Sequence, residues 1–408
     1  MSSVEAMLSP WVAQLRSRAN LPVLLQWGEE PAAGAGLRLG EFDQPKVVIR
    51  VRKAAAVPLL LSPSLDSLGE AYVEGLIDVE GSVDDILEMA HALAEAGAAK
   101  GESRLARIAR HFTHTKKSDQ EAIQYHYDVS NEFYQAWLDP RMVYSCAYFE
   151  NGDETLEQAQ LKKIDHILTK VQLQPGQRLL DIGCGWGALV MRAAEKYGAR
   201  CVGITLSQRQ FELASERVRA AGLQDRVEIR LQDYRDVQGQ FDRITSVGMF
   251  EHVGLDYLVP YFARIRELLT DDGWVLNHGI TSTDPNDGET RHGGGRFIDR
   301  YVFPQGELPH ISTVLKTMQE GGLEALDVES LRRHYARTTA LWSQAFEAQG
   351  ERLQKMVDQK HWRIWRVYLA GCAWAFDHDE ISIYQVLCRK AGRLAHGLPW
   401  SRRWMYAR

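Results

Sequence analysis

The sequence predicts an α/β protein built on a mostly parallel sheet and preceded by a small α+β domain, and three observations lead there. From about residue 158 onward, apolar runs of strand length alternate with amphipathic helical stretches, a rhythm that implies parallel strands joined by right-handed crossovers. One strand ends in a glycine-rich turn, Asp181-Ile182-Gly183-Cys184-Gly185-Trp186-Gly187, that opens a helix. The first hundred residues also stand apart in charge, holding 8 Lys/Arg against 14 Asp/Glu, whereas the remainder is neutral and the whole chain carries −6. At 45% hydrophobic and 25% charged, the composition is that of an ordinary globular protein, and at roughly 150 residues per domain the length suits two or three. So mild an acidity argues against a general nucleic-acid-binding surface, and no nucleic-acid partner is expected.

Within residues 1–100, helical spacing covers 8–17, Val47–Val51 alternates as a strand, and Asp84–Ala96 forms a helix whose acids sit at its N-terminus, where the dipole favours them. Small and basic residues (Gly97, Gly101, Arg104, Arg107, Arg110, Lys116, Lys117) place a linker near 97–105, within a linker and lid segment at 101–158. The third region, 159–408, reads as helix 158–170, strand 178–182, helix 187–197, strand 201–205, helix 208–221, strands 227–231 and 241–247, helix 255–269 and strand 273–278. A polar, Gly-rich stretch follows Ser282, then helices around 311–320 and 336–375, a strand-like 380–389 and a basic-aromatic tail.

Five cysteines without a CxxC pair argue against a disulfide framework and for a reducing cytosol. Glu5 stands where a signal peptide needs basic residues, and Ala54–Leu61 is far shorter than the ~20 residues that span a bilayer. Membrane contact, if any, is expected to be peripheral.

The glycine turn lets the backbone approach a ligand closely. A dinucleotide site needs GxGxxG with an acid about 20 residues further on. Here the pattern is GxGxG and Asp181 precedes it, which resembles the first motif of S-adenosylmethionine (SAM) methyltransferases and implies that Asp181 serves the amino-acid end of the cofactor. The second strand runs into Thr205-Leu206-Ser207 with Gln210 following, at the place where many such enzymes carry an acid for the ribose. Asp233-Tyr234 after the third strand suits adenine, the carboxylate accepting from the exocyclic amine; a solvated loop aspartate is the alternative. Both lie on the sheet edge where open α/β folds bind ligands.

Several further strings converge: Gln124-Tyr125-His126-Tyr127-Asp128, Tyr144-Ser145-Cys146-Ala147-Tyr148, Met249-Phe250-Glu251-His252-Val253-Gly254, Tyr301-Val302-Phe303-Pro304 and Ile383-Tyr384-Gln385-Val386. With the glycine loop they resemble the cyclopropane-fatty-acyl-phospholipid synthases over about residues 30–395. The resemblance implies a Rossmann-like class I SAM methyltransferase domain with a helical, lipid-binding insertion at about 283–375. It also implies bound bicarbonate as base, held by Cys146, Glu251, His278, Ile280 and Tyr335, and a homodimer. Gly69–Gly75 is similar to the extra domain of the phospholipid-acting members, which favours an unsaturated phospholipid as substrate. Tyr144 and Ser145 would close over the cofactor, with His126 and Asp128 either bracing that lid or purely structural. Ser130 replaces the glycine expected in this string, a change confined to the local turn.

The implied chemistry starts from an electrophilic sulfonium methyl and a nucleophilic cis alkene. A carbocation results, and closing a cyclopropane requires a base to take a proton from the added methyl in a dry pocket. Loss of a different proton gives a methyl or methylene branch, the nearest alternative. A non-catalytic SAM-binding lipid-transfer protein and a small-molecule amine methyltransferase are the other readings.

The last twenty residues carry Arg389, Lys390, Arg393, Arg402, Arg403 and Arg408 and no acid, interleaved with Trp400, Trp404 and Tyr406. Each basic residue near an anionic leaflet contributes about 1 kcal/mol, and indole rings favour the interface. The tail therefore predicts peripheral contact with an anionic membrane at the inner face of a cytoplasmic enzyme; an RNA-binding tail is the rival. Arg104 to Lys117 forms either a second patch or a solvated helix. Arg291-His292-Gly293-Gly294-Gly295 looks like an esterase loop, but no GxSxG is present, which excludes that hydrolase class. His111, His114 and Asp377–Glu380 lack a consistent metal-ligand spacing and read as solvated surface.

Overall fold

A computed structural model describes residues 3–28, 36–97, 129–286, 294–304, 306–394 and 398–406. The linker at 97–105 (beyond Gly97), the basic residues Arg104 to Lys117, and His111, His114, His126 and Asp128 lie outside the described residues, as do Arg291, His292 and Gly293. The chain divides into two compact units.

One unit takes the described residues of Met1–His111, Glu289–Val302 and Glu351–Trp374. Its four strands, β1 (Val23–Trp27), β2 (Leu37–Arg38), β3 (Val47–Val51) and β4 (Ile77–Glu80), lie in the order β2-β1-β3-β4, with β1 and β3 parallel. β1 reads Val-Leu-Leu-Gln-Trp and is buried on both faces, so it lacks the alternation that marks β3. Helices Ser3–Arg16, Leu65–Val73 and Val83–Gly97 contribute Leu8, Ala71 and Leu93 to the core, and the apolar Ala54–Leu61 stretch adds Ala56, Val57 and Leu60. The grouping draws on stretches distant from the first hundred residues. Residues 294–302 and 351–374, within the stretch expected to form the insertion at about 283–375, group with this unit. The Arg363 guanidinium donates to the carbonyls of Tyr72 and Ile77 and to Asp78 Oδ1, and His91 stacks on Trp374 at 4.1 Å.

The other unit takes the described residues of Phe112–Gly288, Phe303–Gly350 and Ala375–Arg408. Its strands are β5 (Arg178–Ile182), β6 (Arg200–Thr205), β7 (Val227–Leu231), β8 (Phe241–Val247), β9 (Leu269–Ser282), β10 (Leu323–Ser330) and β11 (Ile381–Lys390). They form a seven-stranded sheet in the order β10-β11-β9-β8-β5-β6-β7. β5 to β9 pair in parallel, and β11 runs antiparallel between β9 and β10. The strand order reverses between β5 and β8, so the C-terminal ends of these strands open the crevice where such sheets bind ligands. The core lies on both faces, with Leu180, Ile244, Phe262 and Val386 in one cluster and Leu179, Val190, Ile167 and Leu387 in another.

Helix 336–375 of the sequence reading is divided into Arg332–Ala348, Gly350–Leu353 and Gln359–Asp377. The basic tail also differs from expectation. Arg389 pairs with Glu324 at 2.7 Å, Lys390 and Arg393 pair with Asp271, and Arg402 meets Asp327 at 2.5 Å. Trp404 packs against the core beside the buried Met405, while Leu394 and Trp400 are exposed. Among the described residues no helix is long and apolar enough to cross a membrane.

Candidate active site

A cavity opens at the C-terminal edge of β5, β6 and β8, lined by Asp181, Gly183 and Gly185, by Thr205, Leu206 and Gln210, and by Tyr144, Ser145 and Tyr234. Gly183 and Gly185 take φ of 80° and 55°, the left-handed region that an L side chain avoids, so the turn can bring backbone against a ligand. Asp181 is buried, and its Oδ1 accepts from the Thr245 hydroxyl at 2.7 Å; burial raises its carboxyl to about 6. Thr205 donates to Gln210 Oε1 at 2.7 Å, which leaves the Gln210 amide nitrogen as the group's donor.

Tyr144 and Ser145 form a braced wall. The Tyr144 ring is packed by Trp342 at 5.2 Å and Trp137 at 5.5 Å, and the Ser145 carbonyl accepts from Gln160 Nε2 at 2.8 Å. Ser130, at the variant position, caps helix Asn131–Gln135 by accepting from the Phe133 N–H. That helix presents Asn131 Oδ1 to the Trp186 indole N–H at 2.8 Å.

Sequence reasoning missed Lys163, Trp186, Gln232, Met249 and His252, all of which line the cavity. Lys163 is the most telling. It is 2% exposed, its Nζ donates to Ser145 Oγ at 2.7 Å, and burial pulls its ammonium down to about 8. No carboxylate among the described residues forms an ion pair with it. A signal was available: Gln160, Lys163, His166 and Lys170 recur at helical spacing on Leu156–Lys170 and are all buried, where the period calls for apolar residues.

Two assigned cofactor residues lie elsewhere. Asp233 does not line the cavity; its carboxylate grips the Arg235 guanidinium at 2.8 and 2.6 Å and accepts the Arg235 N–H, while Gln232 and Tyr234 face the cavity on either side. Gly187 lies outside the cavity lining and caps helix Ala188–Tyr197 with φ of 86°, the left-handed region that favours glycine.

The residues assigned to the base form a second group, outside the cavity lining but continuous with it, since Met249 and His252 flank Glu251. Glu251 is buried, and its Oε1 accepts the Ile280 backbone N–H at 2.6 Å. Its other oxygen, Oε2, has no partner among the described residues, and burial raises the carboxyl to about 7. Gly279 makes this approach possible: a Cβ there would stand 1.7 Å from the Phe250 ring. Ile280 thus contributes a main-chain N–H. It is paired with Ile383 across β9 and β11, and the Ile383 carbonyl accepts Leu331 N–H. The Leu331 carbonyl in turn receives the Cys146 thiol at 3.8 Å and the Tyr335 N–H at 3.0 Å. Burial raises the Cys146 thiol far above its usual range, so it is a wall and not a nucleophile. Tyr335 is buried with its ring 4.4 Å from that of Phe376. His278, fully buried on β9 two residues before Ile280, meets Gln385 through Nδ1, while Nε2 has no partner among the described residues. Burial, then the charges of Lys163 and Lys170, hold its imidazole neutral by driving its pKa well down.

This geometry can be set beside known proteins. Over 372 residues the chain is 46% identical to the "Probable fatty acid methyltransferase" of Pseudomonas putida, covering 90% of this chain and 94% of that one. A tuberculostearic acid methyltransferase of Mycobacterium tuberculosis is 34% identical over 390 residues, covering 91% and 88%. Among solved structures, a mycolic acid cyclopropane synthase complexed with S-adenosylhomocysteine and CTAB superposes with a TM-score of 0.63 at 38% identity, over 66% of this chain and 98% of that one. The fold of the second unit is that of the class I SAM-dependent methyltransferases. A domain of unknown function matches residues 17–101. The mycolic acid cyclopropane synthetase profile matches residues 114–386, and the chain belongs to that family of SAM-dependent methyltransferases.

Proposed function

We propose that this enzyme transfers a one-carbon unit from SAM to the cis double bond of an unsaturated phospholipid acyl chain and closes a cyclopropane. The observation that carries the reading is the pair of buried, unpartnered polar atoms, Glu251 Oε2 and His278 Nε2, beside the cavity. Buried polar atoms in folded proteins are ordinarily paired, so these two point to a ligand that completes them.

SAM supplies a sulfonium-bound methyl. Asp181 and Lys163 would hold its ammonium and carboxylate, Gln210 would donate to the ribose, and Tyr234 with Gln232 would border the adenine, all five being residues of the cavity lining. A cofactor ammonium beside Asp181 would return that carboxyl to its ionised form. Alkylation of the double bond leaves a carbocation, and proton loss from the new methyl closes the ring. Bicarbonate is the proposed base: the His278 ring N–H donates to it, Glu251 Oε2 accepts its hydroxyl, and Cys146, Ile280 and Tyr335 shape its surroundings. The apolar walls exclude water that would quench the cation.

A second reading has its own support. Two relatives that align over nearly the whole chain are named as methyltransferases, which favours a methyl or methylene branch formed from the same cation. Incubation with SAM, bicarbonate and vesicles of cis-monounsaturated phospholipid, followed by NMR of the acyl chains, decides: ring methylene protons support cyclopropane formation, and a branched methyl or exocyclic methylene replaces it. The exposed Leu394 and Trp400, with Arg403, are the proposed docking face for an anionic inner-membrane surface, and a homodimer is the proposed assembly. Vesicle binding that ignores salt would rule out the electrostatic part of docking.

A further inference from the structure

Three side chains stand in one row across three strands. Glu329 of β10 is paired with Gln385 of β11, and Gln385 is paired with His278 of β9, so all three project from the same face of the sheet. Lys170, fully buried on helix Leu156–Lys170, covers the row. Its Nζ donates to Glu329 Oε2 at 2.6 Å and to Gln385 Oε1 at 3.2 Å, with Asp327 Oδ2 at 3.4 Å.

An ammonium has donors only, so Gln385 must turn its carbonyl oxygen toward Lys170. Its amide nitrogen then faces the opposite way, where His278 Nδ1 lies 3.4 Å off. An amide nitrogen donates, so Nδ1 must accept and cannot carry a proton. A neutral imidazole has one N–H, which leaves it on Nε2, the buried ring atom that no described residue meets.

We infer that Lys170 and Gln385 are positioning residues that lock His278 in the Nε2–H tautomer, so that a neutral donor faces the reacting group. Neutrality matters under the proposed function, on which this consequence rests: an imidazolium would set a positive charge beside a developing carbocation, whereas the neutral N–H binds an oxygen without opposing it. Glu329 balances Lys170, and the row delivers the orientation of one donor without delivering its charge.

The test uses the full chain with ¹⁵N-labelled histidine, the His278 signals being identified by their loss in His278→Gln. The expected spectrum has an unprotonated Nδ1 and a protonated Nε2; a protonated Nδ1, or an imidazolium, overturns the inference. The Gln385→Glu variant keeps an oxygen for Lys170 and offers Nδ1 an acceptor, so the proton should move to Nδ1. Turnover should then fall about tenfold or more in kcat with SAM affinity unchanged, because neither residue lines the cavity. An unprotonated Nδ1 in that variant, or a kcat within about twofold of the parent, overturns it as well. The expected tautomer in a protein that modifies no unsaturated phospholipid would sink the proposed substrate and leave the tautomer lock standing.

Discussion

The SAM cavity and the group around Glu251 and His278 differ in how their polar atoms are finished. In the cavity the side chains hold one another: Thr205 with Gln210, Ser145 with Lys163, Asp181 with Thr245. In the second group, Glu251 and His278 are each held by one atom and leave the other bare. The difference separates a preorganised surface, which binds one shape, from a site that keeps hydrogen-bonding capacity in reserve for a transient species.

The largest way to break this contrast is Glu251→Gln. The amide keeps the acceptor for Ile280 but cannot ionise, so turnover should drop by about a hundredfold or more while the SAM Kd, from calorimetry, stays within about twofold. A matching loss of SAM affinity would merge the two regions. The pH profile follows from the same carboxyl, held up to about 7: it is ionised only above that pH, so kcat/KM should rise about tenfold per unit as pH climbs toward 7 and then level. That limb should vanish in Glu251→Gln. Stability runs the other way. Between the usual carboxylate range and 7 the folded state holds a proton that the unfolded chain has released, so this group's contribution falls as pH rises through that window. Lys163→Met acts on the other region and should weaken SAM binding about tenfold with a smaller change in kcat at saturating cofactor. The smallest effect belongs to Asp233→Asn. Its carboxylate serves Arg235, so SAM affinity should change by less than about twofold, and a larger loss would return Asp233 to the adenine.

Legibility in the sequence divides along similar physical lines. β5, β6 and the 273–279 part of β9 stand out as apolar runs because central strands covered on both faces need them, whereas the edge strand β7 shows through the alternation of Val-Glu-Ile-Arg-Leu. β10 does not: Leu-Glu-Ala-Leu-Asp-Val-Glu-Ser is acidic, and a shift of register between Ala325 and Asp327 breaks its alternation. The glycine loop and the Thr205–Gln210 segment announce themselves because a close backbone approach demands particular residues. Lys163 and Lys170 do not, since a lysine in a helix ordinarily reads as solvated, and only the spacing shared with Gln160 and His166 reveals a buried polar stripe. Asp233 shows the converse, a carboxylate in the expected loop that accepts from a neighbour two residues on, a pairing its position in the sequence does not announce.

The first unit gathers segments from distant parts of the chain, and this orders events on the ribosome. The carbonyls of Tyr72 and Ile77 wait for Arg363, the ring of His91 waits for Trp374, and Val367 joins a core otherwise made by residues before 97. At about 5–20 residues per second of synthesis, the N-terminal segment emerges tens of seconds before its last pieces. The segment before residue 97 is thus made well ahead of the pieces that complete its unit.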